Sequence, residues 1–166
     1  SYLARQLGTS ADLAEATHAM NQLFTQRLVE RLLVLSDGKA VGIAGLAYKP
    51  DTTVVEQSAG LAAAAALAKV GRTVFAFEPA GAVSGMQVPD GIEQCASLAD
   101  LLASVDVLAI TTPDPAFRLV PLQSRSRPGK LVVLDCWRMC EAQLKGREDV
   151  EYHAVGRNGD PVNNAL

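Results

Sequence analysis

The sequence lacks the features of a membrane or secreted protein. None of its apolar runs approaches the roughly 18 residues that a membrane span needs, and the richest stretch, residues 61–70, is mostly alanine. Its first residues, SYLARQLG, show no signal-peptide pattern, and an odd number of cysteines (Cys95, Cys136 and Cys140) cannot all pair within the chain. We therefore expect a cytoplasmic protein with reduced thiols and no membrane association. The missing initiator methionine is expected of a chain that begins within a longer protein.

Clusters of basic residues and of metal ligands are also missing. The net charge is −3, from 15 basic and 18 acidic residues, whereas nucleic-acid binding leaves a dense cationic footprint. Cys136 and Cys140 lie four residues apart but have no histidine near them, so they do not form a zinc motif. His18 and His153 are expected to be structural or exposed. We expect no nucleic-acid partner and no metal.

The first secondary-structure signal is a long amphipathic helix over residues 9 to 37. Thr9 or Ser10 can cap its start, and Gly38 can end it. About 25 helical residues extend roughly 37 Å, more than one small domain needs to cover its core, so part of this helix is expected to face a partner subunit. Apolar residues recur every three or four positions, namely Leu13, Ala16, Met20, Phe24, Leu28, Leu32 and Leu35.

Alternating strands and helices follow this helix. Residues 40–47 form a compact apolar run, typical of a strand buried on both faces, and residues 56–70 predict a helix. The sequence therefore predicts an α/β fold, a Rossmann-like, doubly wound and mainly parallel sheet preceded by the long amphipathic helix. Residues 81–91 are predicted to be a loop and residues 97–103 a helix. Further strands are predicted at residues 73–77, 92–95, 106–111, 130–134 and, as an edge strand, 151–155.

Parallel sheets of this kind bind ligands at the carboxyl ends of their strands, and the end of the first predicted strand carries Lys49. Ala44 stands where the dinucleotide fingerprint G-x-G-x-x-G needs glycine, and the segment is not a P-loop either. Lys49 precedes a predicted helix N-terminus, and Thr52 and Thr53 supply hydroxyl donors. The group can hold a carboxylate or a phosphoryl group, although Lys49 can also be a solvated loop lysine.

Several segments, in order, resemble one known family. GIAGLAYKPDT from Gly42, VFAFEP, DVLAITTPDPAFR, LVVLD and YHAVGR resemble motifs of the UDP-glucose/GDP-mannose dehydrogenases. Upstream, YLARQLG and the helix around Asn21 resemble the end of that family's central dimerisation region. The resemblance thus implies two parts. Residues 1–37 end the central helical dimerisation region, and residues 38–166 form the C-terminal nucleotide-sugar-binding α/β domain.

The resemblance also implies an activity. Family members use NAD to oxidise the C6 alcohol of a nucleotide sugar to a carboxylate, through a cysteine adduct that retains the aldehyde for the second hydride transfer. No cysteine here stands in the family motif Cys-hydrophobic-Pro-Lys-Asp, and most of the cofactor is held by an N-terminal domain. The full-length protein is then expected to be an NAD-dependent nucleotide-sugar 6-dehydrogenase and a homodimer, while this chain alone is expected to be inactive.

By resemblance, Tyr48 and Lys49 match a Phe-Lys pair that contacts the UDP- or GDP-linked sugar. Two positions depart from the family pattern. Glu56 replaces an arginine that reaches toward the cofactor, which leaves the cofactor-binding residues of this chain unassigned. Trp137 stands where a substrate-contacting arginine usually lies, and Arg138 can serve after a one-residue shift. These departures leave open an alternative, a degenerate, non-catalytic nucleotide-binding or assembly module of the same fold.

Overall fold

A computed structural model describes residues 6, 8–80 and 88–156 of the chain. Its helices are α1 (Asp12–Ser36), α2 (Ala59–Lys69), α3 (Leu98–Ser104) and α4 (Glu141–Leu144), with short 3-10 turns at Pro115–Phe117 and Leu122–Ser124. Its strands are β1 (Val41–Ala44), β2 (Val74–Phe77), β3 (Ile92–Gln94), β4 (Val107–Ile110), β5 (Leu131–Asp135) and β6 (Val150–Ala154).

The strands form one parallel sheet in the order β3-β2-β1-β4-β5-β6. From β1 the chain winds outward to β3, then returns to the other side of β1 and winds outward again to β6. The order therefore reverses between β1 and β4, which is the topological switch point of a doubly wound sheet. The Rossmann-like fold predicted from the sequence is confirmed, as is the edge position of the last strand.

The central strands are buried on both faces, as the apolar run predicted. Every residue of β1 and β4 is buried, and successive side chains enter two different apolar clusters. Ala44 joins the cluster that contains Leu101 and Phe117, whereas Ile43 joins the cluster that contains Leu32 and Leu67. Since neighbouring side chains of a strand point to opposite faces, helices and loops cover the sheet on both sides.

The long helix is shorter at its start than predicted. It begins at Asp12 after Ala11, which provides no side-chain cap, although the Ser10 hydroxyl accepts a hydrogen bond from the Asp12 N–H at 3.3 Å. Its predicted end is confirmed, because Asp37 and Gly38 take the left-handed φ angles of 44° and 85°. The chain cannot continue a right-handed helix through these angles.

The apolar stripe of α1 divides into two halves. Leu28, Leu32 and Leu35 pack against the domain, whereas Met20 and Phe24 remain 50% and 58% exposed. The N-terminal half of α1 therefore extends beyond the surface that the domain covers. No helix in the described part of the chain combines the length and apolarity needed to cross a membrane.

The second helix also starts later than predicted, at Ala59 rather than at residue 56. Ser58 caps it by accepting a hydrogen bond from the Leu61 N–H at 3.2 Å. Glu56 and Gln57 instead form a turn in which Gln57 has a φ of 60°, and a left-handed residue cannot belong to the helix. Some of the predicted features lie outside the described residues. They are residues 1–5, 7 and Arg157 of the segments that resemble the family, and most of the predicted loop 81–91.

Candidate functional site

The switch point brings together the loops that follow β1, β4 and β5. Because β1 and β5 are the two neighbours of β4, their carboxyl ends lie about 10 Å apart, twice the spacing of adjacent strands. The loop after β1 carries Tyr48 and Lys49, and the turn after β5 carries Trp137 and Arg138. These sequence-predicted residues therefore share one edge of the sheet.

Thr111 connects the strand ends at this edge. It directly follows β4, and its buried hydroxyl donates to the carbonyl oxygens of Gly45 at 2.6 Å and Ala44 at 3.1 Å. Gly60 of α2 packs so closely on Gly45 and Thr111 that an added Cβ would collide with the Gly45 carbonyl oxygen. Only glycine fits there. Because Gly60 has no side chain, the first turn of α2 can pack directly against the end of β1.

This packing corrects one expectation about Lys49. The helix N-terminus that was expected to attract an anion next to Lys49 begins nine residues later, at the buried Ser58, and lies against Gly45. Its first turn is occupied by protein groups, since the Ser58 hydroxyl accepts from the Leu61 N–H. An anion near Lys49 therefore depends on the lysine charge rather than on the amides of α2.

Glu78, at the end of β2, fills the place where a Rossmann loop meets phosphate. One oxygen of its carboxylate accepts hydrogen bonds from the Leu46 and Ala47 N–H groups at 2.6 and 2.8 Å, and the side chain is buried. In dinucleotide-binding folds the loop after the first strand directs its amides at the pyrophosphate. Here the protein's own carboxylate occupies them. The signal in the sequence was an acidic residue ending a buried strand, just before Pro79.

The loop that carries Lys49 is held by its own backbone. The Tyr48 N–H donates to the Val54 carbonyl at 2.7 Å, and the Thr52 hydroxyl accepts from the Val54 N–H at 3.2 Å. Thr52 therefore supports the loop. Tyr48 is 60% exposed. Lys49 is also exposed and has no hydrogen bond or ion pair with any described residue.

Thr53 and Glu56 are exposed on the same loop. Glu56 forms no hydrogen bond and no ion pair with any other described residue. The carboxylate that replaces the expected arginine is therefore free to meet a ligand or a partner, and no charge in the described structure neutralises it.

Asp135 organises the turn after β5. It is fully buried, and its carboxylate accepts hydrogen bonds from the Trp137 N–H at 3.0 Å, the Cys140 N–H at 2.8 Å and the Tyr152 hydroxyl at 3.0 Å. Burial, with the Asp135 carboxylate as the second cause, raises the pKa of the Tyr152 hydroxyl, which keeps its proton. The turn presents Arg138 in a left-handed conformation (φ 58°), exposed and without a described hydrogen bond or ion pair.

Trp137 reaches from this turn across the end of β4. Its indole N–H donates to the Thr111 carbonyl at 2.9 Å, while 54% of the residue remains exposed. Thr111 is thus a common contact, because its hydroxyl binds the end of β1 and its carbonyl binds the tryptophan. The aromatic ring lies at the switch point itself, a position that the sequence did not reveal.

The cysteines of the chain are poor nucleophiles. Burial, followed by the nearby Asp135 carboxylate, raises the pKa of both Cys136 and Cys140 to about 12, and the Cys140 thiol donates to the Phe117 carbonyl at 2.6 Å. The pKa of Cys95 is raised too, first by burial and then by acidic neighbours. All three thiols keep their protons at neutral pH.

Other polar features lie outside the loops after β1, β4 and β5. His18 contacts Gln22 on the exposed part of α1, and His153, near the end of β6, contacts Glu151. No group of three metal-ligating side chains occurs in the described ranges. A surface depression of about 520 Å³ opens at the amino ends of β2 and β3, opposite the switch-point edge, and is lined by Arg72, Thr73, Val74, Gly91, Ile92 and Glu93.

Comparison with known proteins gives one family. The profile described as UDP-glucose/GDP-mannose dehydrogenase family, UDP binding domain, matches residues 42–142, which include every residue of the switch-point edge. No match was found among curated proteins. A UDP-glucose dehydrogenase structure from Pyrobaculum islandicum is 27% identical over 81% of this chain and 31% of its own length, with a TM-score of 0.61.

Two more distant structures share the fold. A GDP-mannose dehydrogenase from Pseudomonas aeruginosa has a TM-score of 0.67 and 19% identity, over 91% of this chain and 36% of its own length. A UDP-N-acetyl-mannosamine dehydrogenase from Staphylococcus aureus has a TM-score of 0.60 and 17% identity, over 92% of this chain and 33% of its own length. The chain therefore spans about a third of the length of these structures.

Proposed function

This chain belongs to the UDP-glucose/GDP-mannose dehydrogenase family, and we propose that its switch-point edge binds the nucleotide sugar of an NAD-dependent 6-dehydrogenase. The observation that carries the proposal is the pair of exposed cations, Lys49 and Arg138, on two loops whose strand ends lie about 10 Å apart. Neither cation has a hydrogen bond or ion pair within the described residues.

A diphosphate is a suitable ligand for two such cations. It offers negative charge on two adjacent groups, so that a lysine and an arginine from opposite sides can each bind one of them. Each hydrogen bond to a charged group contributes about 1.5 to 3 kcal/mol to the free energy of binding, which is enough for a specific contact at a solvent-exposed site. The UDP-glucose and GDP-mannose dehydrogenases with the same fold act on ligands of this kind.

The chemistry itself is assigned to parts of the protein other than this chain. NAD-dependent oxidation of the sugar alcohol to a carboxylate needs a thiolate and a dinucleotide site. The three thiols here are protonated, and Glu78 occupies the amides of Leu46 and Ala47. This chain therefore supplies substrate contacts, while the reactive cysteine and most of the NAD contacts come from elsewhere in the enzyme.

Glu56 favours a second candidate, a non-catalytic nucleotide-binding or assembly module of the same fold. Its exposed carboxylate stands where the resemblance expects a cofactor-directed arginine, and a carboxylate repels a pyrophosphate. The two candidates differ in a measurable way. A full-length enzyme reduces NAD in the presence of its nucleotide sugar, whereas a full-length module binds the nucleotide sugar without reducing NAD.

Calorimetry with UDP-glucose and GDP-mannose tests the binding site. We expect Lys49→Ala and Arg138→Ala each to weaken binding by about 10- to 150-fold, because each removes a hydrogen bond to a charged group. The matched control is Lys130→Ala, an exposed lysine that precedes β5 at the opposite edge of the sheet and should leave the affinity unchanged. Melting temperatures check that each variant is folded.

Two results would contradict the proposal. If wild type binds a nucleotide sugar and both variants bind it equally well, the site lies elsewhere on the chain. If wild type binds neither nucleotide sugar, this chain does not contain the site on its own.

A further inference from the structure

We infer that the exposed face of Trp137 is a stacking platform for the nucleobase of the nucleotide bound at the switch-point edge. The inference rests on the proposed function and adds the part of the ligand that the two cations do not contact. It is carried by the way the indole ring is held, by its exposure and by its position on Thr111.

Trp137 is held at its backbone and at its ring. The backbone N–H donates to the buried Asp135 carboxylate at 3.0 Å, and the indole N–H donates to the Thr111 carbonyl at 2.9 Å. Asp135 is itself held by the Cys140 N–H and the Tyr152 hydroxyl. A side chain whose orientation is set in advance loses little conformational freedom when a ligand binds, so stacking on it is favourable.

Much of Trp137 is also accessible to a ligand. The residue is 54% exposed, although tryptophan is on average a highly buried residue in folded proteins. Among the described residues, the ring pair is Phe77 with Phe117, so no other aromatic ring covers Trp137. The indole N–H is the only polar hydrogen-bonding group of the side chain, and Thr111 already uses it. What remains for recognition is the π-face.

The ring lies beside the two cations and leaves both of them to the phosphates. Trp137 reaches from the turn that also presents Arg138 to the end of β4, whose neighbour β1 leads into the loop that carries Lys49. A neutral planar base can then stack at the switch point while the negatively charged phosphates meet the two cations. Stacking does not depend on the hydrogen-bonding pattern of the base, so the platform accepts both uracil and guanine.

Tryptophan fluorescence tests this directly, because Trp137 is the single tryptophan of the chain. We expect UDP-glucose and GDP-mannose to change its emission saturably, at concentrations that match their calorimetric affinities. Inorganic pyrophosphate, which has no base, should compete for the cations and leave the emission unchanged. An NAD titration is run in parallel, and a response to NAD alone would overturn the inference by assigning the ring to a dinucleotide base.

Variants supply the second measurement. Trp137→Ala should weaken nucleotide-sugar binding by about 5- to 150-fold, the range for one base stacked on an aromatic side chain. Trp137→Phe keeps an aromatic face without the indole N–H, and it should retain much of the affinity. Melting temperatures of both variants separate loss of the platform from loss of the fold.

Contrary results are distinguishable from failure of the proposed function. Suppose that nucleotide sugars bind and that Lys49→Ala weakens this binding. If the tryptophan emission is then unchanged, or if Trp137→Ala binds like wild type, the stacking proposal is wrong and the proposed cation site stands. An emission change with pyrophosphate as large as with nucleotide sugars would also overturn stacking. If calorimetry detects no nucleotide sugar on wild type, both proposals are wrong.

Discussion

At the end of β2, the Glu78 side chain takes the role that a bound phosphate has in dinucleotide-binding relatives of this fold. Its carboxylate accepts two hydrogen bonds, at 2.6 and 2.8 Å, from the successive N–H groups of Leu46 and Ala47. Such charge-assisted bonds are stronger than those between neutral groups. The residue therefore has two effects. It stabilises the turn after β1, and it excludes a second anion from the same amides.

We expect Glu78→Ala to lower the free energy of unfolding by about 2 to 4 kcal/mol, because the substitution leaves two N–H groups of a buried turn without their acceptor. Urea denaturation measures the change. The control is Glu93→Ala on β3, an exposed glutamate whose removal should have little effect. Equal stability of the two variants would show that water replaces the carboxylate at little cost.

The contacts of Glu78 and Thr111 also show why part of the site could not be predicted. The Thr111 hydroxyl meets Gly45, 66 residues earlier, and Glu78 meets Leu46, 32 residues earlier. The acidic residue at the end of β2 could mark Glu78 as a site residue, but nothing in the sequence indicates which amides its carboxylate meets or which carbonyls the Thr111 hydroxyl meets. Lys49 and Arg138 could be predicted, because the end of a strand and the family motif are local features of the sequence, but their function remains a prediction.

At the scale of elements, apolar runs predicted the strands well, and Ser97 caps the helix α3 that was predicted to start there, whereas the starts of α1 and α2 were predicted about three residues too early. The β1 and β4 runs are short, continuous and bounded by polar residues or turns, which is typical of strands inside a parallel sheet. The observed strand ends differ little from the predicted ones. The largest difference is at β1, which ends at Ala44 rather than at residue 47. The predicted start of α2 was too early because Gln57 adopts a left-handed backbone conformation, which is uncommon for glutamine and is not indicated by the sequence.

The exposed half of α1 leads to a prediction about assembly. Met20 and Phe24 lie on the helix face that continues the packed stripe, yet the domain leaves both at least half exposed. Exposed apolar patches of this kind usually mark an interface, and we propose that a second copy of the chain covers this one. Light scattering or sedimentation at tens of micromolar should then give a dimer.

Replacing Met20 and Phe24 together with Asp should shift that dimer toward monomer, because a dimer buries both new charges. The matched control is the pair Gln22→Asp and Gln26→Asp, which adds the same charge on the opposite face of the helix. A monomeric wild type, or equal dissociation of both double variants, would contradict an interface on this stripe.

At the scale of the whole molecule, the described residues form a complete parallel sheet with the proposed nucleotide-sugar edge at its switch point. The sheet is continuous from β3 to β6, and the switch point lies at its centre. The edge offers cations and an aromatic face, which are binding groups. The hydroxyl of Tyr152 and the thiols of Cys136 and Cys140, which surround Asp135 at this edge, all have raised pKa values and keep their protons at neutral pH. Protonated groups of this kind favour binding over covalent chemistry.

We therefore expect this chain to bind nucleotide sugar without oxidising it. Incubation with NAD and either UDP-glucose or GDP-mannose should produce no NADH absorbance. Two physical reasons lead to this result. Burial and the nearby Asp135 carboxylate raise the pKa of the Cys136 thiol to about 12, so it keeps its proton at pH 8 and does not supply the thiolate that a covalent sugar adduct needs. The amides of Leu46 and Ala47 are filled by Glu78, and Ala44 replaces a fingerprint glycine, so the turn after β1 does not offer the pyrophosphate site of a dinucleotide-binding fold.

A full-length GDP-mannose dehydrogenase, assayed with the same reagents, provides the positive control for the absorbance measurement. Saturable NADH formation by the chain would contradict the prediction, and Cys136→Ser and Cys140→Ser would then identify the thiol responsible. Raising the pH gives a further check with a definite sign. Because their pKa values are raised, and because Cys140 is also buried, alkylation of Cys136 and Cys140 by iodoacetamide should stay slow at neutral pH and become faster as the pH rises. Rapid alkylation of either of these two residues in the folded chain at neutral pH would show a thiolate where the structure has a protonated thiol.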